Sequence, residues 1–326
     1  MKLAMMLALV IASVLVTAGI GSVAAHDGTA EATPSGAGLE GAAAWLQTQQ
    51  ANDGGFVGLS GESDPGATID AIIALVAARG AGIDTGSAVD LAVGYLESGD
   101  IALVYIQTGV GQAAKLVLGL VAVGEDPAAF ANVDPLSIVL NGMDDETGVY
   151  GAGMFDHALA VLALTATENE VSEAAIDAFN ATQAENGGWA FDASTAPEMV
   201  DSNTTAISLR ALVAAGQGET EIVANGLMYL ESIWTDGGAA YSHLPDTLPD
   251  ANSTALAILA FAATGMDVAN RQLALAMFQN PGGAFSYNAA DPTDNLFATV
   301  QAIPAMALPQ PSDVATPATF LDAPLG

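Results

Sequence analysis

Two stretches of this 326-residue chain hold residues that could move a proton. "DSNTTA" at 201–206 and "DANSTA" at 250–255 each set an Asp two places before an Asn and four before a Thr, ahead of an apolar run. Two carboxylates such as Asp201 and Asp250, facing each other across a sugar, would suit glycoside hydrolysis. His157 is a third catalytic candidate, since imidazole titrates near neutral pH. Asp156 precedes it, but neighbours on a helix point in different directions and form no ready dyad. The same residue types also start helices, because Asp, Asn, Ser and Thr accept free N–H groups and the helix dipole favours a carboxylate there. The other polar residues at turns and helix starts are Asp64, Tyr150, Asn203, Asn252, Asp294 and Asn295, while His243 in "AAYSHLPDTLPD" reads as exposed.

A repeat must position these groups. "DGGF" at 53–56, "NGGWAF" at 186–191, "DGGAAYS" at 236–242 and "PGGAFSY" at 281–287 are versions of one turn, with weaker copies near Gly99 and Gly148. Each turn lies between two segments of helical apolar spacing, such as "SEAAIDAFNATQ" before and "TTAISLRALVAAG" after. Six helical hairpins predict an all-α (α/α)6 toroid, with the more aliphatic following helices as the inner ring. No unit reads as a polar capping repeat, which favours closure over an open solenoid. Gly-Gly allows a tight turn with positive φ, and Gln47 and Gln183 are expected to bond helix ends or loop carbonyls.

The first 25 residues combine Lys2, an apolar run and small residues at Val23-Ala24-Ala25, the pattern of an export signal. The expected organisation is a signal at 1–25, a flexible linker at 26–37, the toroid at 38–308 and a Pro-rich tail at 309–326. Localisation is then secreted or cell-surface, with the signal cleaved or retained as an anchor. No later run is long enough to span a membrane. The formal charge is −32, and loss of Lys2 makes it −33. Such a chain should repel nucleic acid. No cysteine is present, which excludes disulfides, thiolate zinc sites and cysteine nucleophiles. No motif specifies a cofactor or a metal, and "MDDETG" at 143–148 reads as a solvated turn.

"WLQTQQANDGGF", "FNATQAENGGWAF" and "MFQNPGGAFSY" resemble the Gln-x-x-x-Gly-Gly-aromatic repeats of the prenyltransferase and squalene-cyclase superfamily. The resemblance implies an (α/α)6 toroid, a fold also seen in the α-domain of transcobalamin- and intrinsic factor-type cobalamin carriers. Cyclases of this kind carry Asp-x-Asp-Asp-Thr-Ala. Here Asn and Ser or Thr replace the paired acids at 203–204 and 252–253, and an amide has no proton to give at useful acidity. A prenyltransferase zinc site needs a Cys that this chain lacks.

The reading leans away from enzyme activity. It expects an exported toroid that binds a small apolar or cobalamin-like ligand, or a surface partner protein, in its central funnel. The expected lining is Trp189, Tyr241 and Phe285 under a rim of Tyr150, Asp156, His157, Asp201, Asn203, Asp250, Asn252 and Asp294. The alternative is a divergent terpenoid cyclase or a hydrolase using Asp201 and Asp250. A filled toroid with a purely structural role is a third expectation.

Overall fold

A computed structural model describes residues 38–309. The expected signal at 1–25, the linker at 26–37 and the tail beyond 309 lie outside the described residues. Thirteen α-helices are present among the described residues. The inner set is α2 (Pro65–Gly80), α5 (Val110–Val123), α7 (Met154–Ala166), α9 (Ser202–Ala214), α11 (Ala251–Ala263) and α13 (Leu296–Met306). The outer set is α1 (Leu39–Thr48), α3 (Ala88–Glu97), α6 (Pro135–Leu140), α8 (Glu173–Thr182), α10 (Glu221–Ser232) and α12 (Ala269–Ala276). A short α4 (Ile101–Ile106) stands in the second repeat where a weak turn was expected near Gly99.

Each inner helix packs on the next, and α13 returns to α2, so the inner ring is closed. The seam is also hydrogen-bonded. Gln279 Nε2 donates to Gly38 O at 2.8 Å, and Gly38 N donates back to Gln279 Oε1 at 2.7 Å, across 241 residues of sequence. That closure answers the edge problem that an open solenoid solves with polar caps. No described helix is long and apolar enough to cross a membrane.

The repeat has a common bonding scheme. Gln50, Gln183 and Gln279 each donate to the glycine carbonyl four residues on (Gly54, Gly187 and Gly283) and to the start of the next outer helix (Ala88, Ile222 and Gly38). The role expected of Gln183 is therefore observed. Gln47 also bonds a loop carbonyl, Asp84 O, besides Ala43 O of its own helix, while the counterpart of Gln183 in the first repeat is Gln50. Gly187 has φ +91°, and a β-carbon there would collide with the Asn225 carbonyl of the neighbouring repeat. Only glycine permits that approach.

Short antiparallel ladders close four of the turns: β1 (Phe56–Val57) with β2 (Ser63–Asp64), β3 (Trp189–Ala190) with β4 (Val200–Asp201), β5 (Trp234–Thr235) with β6 (Gly238–Ala239), and β7 (Phe285–Asn288) with β8 (Asp291–Asn295). The apolar core lies between the rings. Trp189, Phe179, Tyr229, Phe261 and Phe285 are each at most 1% exposed.

Candidate functional site at the mouth of the ring

The inner helices start at one end of the ring, and their first residues explain the repeated hexapeptide. Asp64, Asp201, Asp250 and Asn295 are N-caps whose side-chain oxygens accept from Ala67, Thr204, Ser253 and Ala298 N–H at 2.7–2.9 Å. Four residues after each cap stands a threonine. The hydroxyls of Thr68, Thr205, Thr254 and Thr299 accept the backbone N–H of the turn residues Phe56, Trp189, Ala239 and Phe285. Three of them also donate to their own cap carbonyl at 2.7 Å. The Asp and the Thr thus staple each turn to its inner helix, satisfying N–H groups that would otherwise be buried without partners.

His157 holds the threonine position in the third repeat. Its Nδ1 accepts Tyr150 N–H at 3.1 Å, which places the proton on Nε2, and that N–H is directed at Ala175 O at 3.0 Å. The ring is fully buried against Tyr150 and Phe179, and burial lowers its pKa to about 4. It is a neutral imidazole with both nitrogens occupied by backbone. Asp156 bends away from it and accepts from Ala152 N at 3.1 Å. His243 is exposed, as expected, with its edge on Tyr229 and Nε2 3.1 Å from Ser232 Oγ.

The caps at 201 and 250 are unusual in their burial, at 3% and 2% exposure. Desolvation raises both carboxyls to about 6, against the pull of the helix N–H groups. Asp250 has both oxygens engaged by Ser253, Oδ1 by its N–H and Oδ2 by its hydroxyl. Asp201 Oδ1 is held by Thr204 N–H. The sixth repeat does the same job with neutral Asn295, so the fourth and fifth repeats bury a carboxyl that capping alone does not require.

Helical geometry assigns the axis-facing side. The stapling Thr is the fourth residue of its helix and faces the outer turn. At 100° per residue, the second, sixth and ninth residues face the other way, toward the ring's axis. These positions hold Gly66, Asp70 and Ile73 on α2, Gly111, Lys115 and Leu118 on α5, Phe155, Leu159 and Leu162 on α7, Asn203, Ile207 and Arg210 on α9, Asn252, Leu256 and Leu259 on α11, and Phe297, Gln301 and Pro304 on α13. Two bonds between neighbouring inner helices lie on this side: Lys115 Nζ to Asp70 Oδ2 at 2.8 Å and Asn252 Nδ2 to Gln301 Oε1 at 2.9 Å. The described chain has four basic residues, and two of them, Lys115 and Arg210, are buried here. Burial lowers Arg210 to about 9, and burial outweighs Lys115 in raising Asp70 to about 6. The axis-facing side is therefore mixed, with six polar or charged side chains among aliphatic and aromatic ones, and Trp189 and Phe285 do not line it. Both are 0% exposed between the rings, with Trp189 Nε1 bonded to Phe179 O.

Aromatic surface appears instead on the rim. Phe191, Tyr241 and Tyr287 each stand two residues after the aligned turn residues Trp189, Ala239 and Phe285, and are 42%, 41% and 39% exposed. Met154 N donates to Phe191 O at 3.0 Å and Ser202 N to Tyr241 O at 2.8 Å, so each rim residue is seated over the preceding inner helix. Asp250 bridges Asn288, the neighbour of Tyr287, in the same way. The Phe191 ring packs on Phe155 at 6.1 Å. The fields of Asp201 and Asp250 reach the Tyr241 hydroxyl and that of Asp250 reaches Tyr287, whose pKa burial raises to about 12. Asp294 lies exposed at the same end, bonded to Asn280 Nδ2 at 2.7 Å.

The structure thus gathers Asp201, Asn203, Tyr241, Asp250 and Asn252 at one sector of the mouth. Tyr150, His157, Trp189 and Phe285 are packing groups between the rings. Phe191, Tyr287, Asp70, Lys115, Arg210 and Gln301 were not singled out from the sequence. A second aromatic in "NGGWAF" and "PGGAFSY", and lone charges inside the apolar runs of α2 and α5, were the available signals. No cluster of three or more His, Asp or Glu side chains suited to a metal ion occurs among the described residues. A separate open groove of about 380 Å³ on the outer wall is lined by Trp234, Asp236, Asp267 and Arg271. Its arginine is already stacked over Trp234 and Phe261 and paired with Glu231.

No protein-family model matches the sequence, and no curated protein matches it. Solved structures do. The apo type II terpene cyclase MstE from Scytonema superposes with a TM-score of 0.57 at 14% identity, over 82% of this chain and 96% of that one. An inactive variant of the α-1,6-mannanase of Salegentibacter sp. HEL1_6, in complex with α-1,6-mannotriose, superposes with a TM-score of 0.61 at 11% identity, over 82% and 98%. At these identities the likeness establishes the toroid fold shared by terpene-cyclase-like and mannanase-like proteins, which host different chemistries.

Proposed function

We propose that this chain is an exported, non-catalytic binding toroid whose ligand sits on the mouth of the ring over α7, α9 and α11. The observation that carries the reading is the arc of Phe191, Tyr241 and Tyr287, exposed at equivalent positions of three successive repeats and seated over inner-helix starts. Exposed aromatics at neighbouring, equivalent sites are the usual makings of a recognition surface. The hydroxyls of Tyr241 and Tyr287 stand beside that aromatic surface and favour a ligand with hydrogen-bonding groups. Catalysis by two of the three candidate groups is disfavoured because they are already bonded: His157 at both nitrogens, Asp250 at both oxygens.

A second reading, hydrolase or cyclase chemistry by Asp201 and Asp250, is favoured by one fact. Both carboxyls are pushed up to about 6, into the range of a general acid. The two readings separate experimentally. Native mass spectrometry of protein purified from its own host should show a co-purifying small molecule that is lost in Tyr241→Ala and released chemically unaltered. Absence of any such species, or turnover that Asp201→Asn abolishes, would overturn the binding reading.

A further inference from the structure

Resting on the binding reading above, we infer that the ligand is an uncharged oligosaccharide laid along the Phe191–Tyr241–Tyr287 arc. A pyranose ring has an apolar face of C–H groups that stacks on an aromatic ring and a girdle of hydroxyls that needs donors and acceptors. The rim supplies both. Phe191, Tyr241 and Tyr287 expose aromatic surface. The hydroxyls of Tyr241 and Tyr287 supply polar groups there, and Asn203 lies buried at the start of α9.

The repeat adds a second argument. The aromatics recur at one position of three consecutive units, counted from the turn residues at 189, 239 and 285. The same position holds Gly58 in the first unit and Ala152 in the third, so the stacking surface runs along one sector of the rim. A surface that repeats one element suits a ligand that repeats one ring.

Charge selects among saccharides. With a formal charge of −32 and the two axial cations buried, the mouth offers little to a uronate or a phosphate. The rim aromatics are exposed, so their removal should not weaken the fold as loss of Trp189 would.

The test uses the whole chain and three uncharged trisaccharides, of mannose, glucose and N-acetylglucosamine, with trigalacturonate as the charged comparison. Saturation-transfer NMR and intrinsic fluorescence follow binding. At least one uncharged trisaccharide should bind saturably and more tightly than trigalacturonate by about tenfold or more. Phe191→Ala, Tyr241→Ala and Tyr287→Ala should each weaken it by about five- to tenfold with an unchanged melting temperature. No saturation by any uncharged trisaccharide at ~10 mM, or binding unaffected by the three variants, overturns the inference. If native mass spectrometry instead finds a non-saccharide held by Tyr241, only the ligand class falls. If it finds nothing, the binding reading falls with it.

Discussion

Replacing Asp201 by Asn separates a charge from a helix cap. Asn caps about as well as Asp, and Asn295 already accepts Ala298 N–H at 2.9 Å at the equivalent site. The substitution therefore keeps the Thr204 bond and removes an ionised group that is 3% exposed. Desolvation raises the native pKa from 3.8 to about 6, so the native state binds more protons than the unfolded chain between those values. Stability of the wild type then falls as pH rises through that window. At about 1.4 kcal/mol per unit the full penalty is roughly 3 kcal/mol above pH 6. Burying the new amide N–H groups offsets part of it, leaving a gain of about 1–3 kcal/mol for Asp201→Asn at pH 7.5. For a domain of this size that is a rise of roughly 2–10 °C in melting temperature. Thermal and urea unfolding at pH 7.5 and pH 4 measure it, and the gain should vanish at pH 4. A loss of stability at pH 7.5, or a change of equal size at both pH values, would refute the assignment of a buried, costly charge.

Thr205→Val keeps the shape of the staple but leaves Trp189 N–H buried without an acceptor, and should cost about 1–3 kcal/mol in urea unfolding. Lys115→Met strands the buried Asp70 carboxyl and should cost about 3–5 kcal/mol, whereas Asp70→Leu combined with Lys115→Met should recover most of that loss in a double-mutant cycle. His157 should titrate below pH 5 by NMR and stay an Nε2–H tautomer at pH 6.5. Because its native pKa is depressed from 6.5 to about 4, the unfolded chain binds more protons there, so this residue removes stability as pH falls through that range. Gly187→Ala forces a β-carbon into the Asn225 carbonyl at φ +91°, and should lower the melting temperature more than Gly216→Ala, where a β-carbon meets nothing within 4 Å.

The ring itself was legible because it is written in local chemistry repeated six times. Helical apolar spacing, a Gly-Gly turn and a Gln four residues ahead of the glycine are short-range features that survive in one sequence, and they gave the hairpins, their order and the inner and outer assignment. The Asp-x-x-x-Thr frame of "DSNTTA" and "DANSTA" was visible too, and its capping half followed from residue type. Its second half did not, because the Thr hydroxyl bonds a turn residue 12 to 16 positions upstream, a partner set by folding. For the same reason His157 looked like chemistry: sequence shows an imidazole beside a carboxylate, whereas packing puts the ring in a threonine's place between Tyr150 N–H and Ala175 O.

What only the tertiary structure decided is direction. The sequence offered Trp189, Tyr241 and Phe285 alike as lining for a central funnel, but two face the space between the rings and one faces solvent at the rim. It also showed Asp70 and Lys115 as isolated charges 45 residues apart, and ring closure made them a buried pair. The physical reason is common to both. A repeat fixes which residues share a helix face, and only closing the ring fixes whether that face meets the axis, the other ring or water.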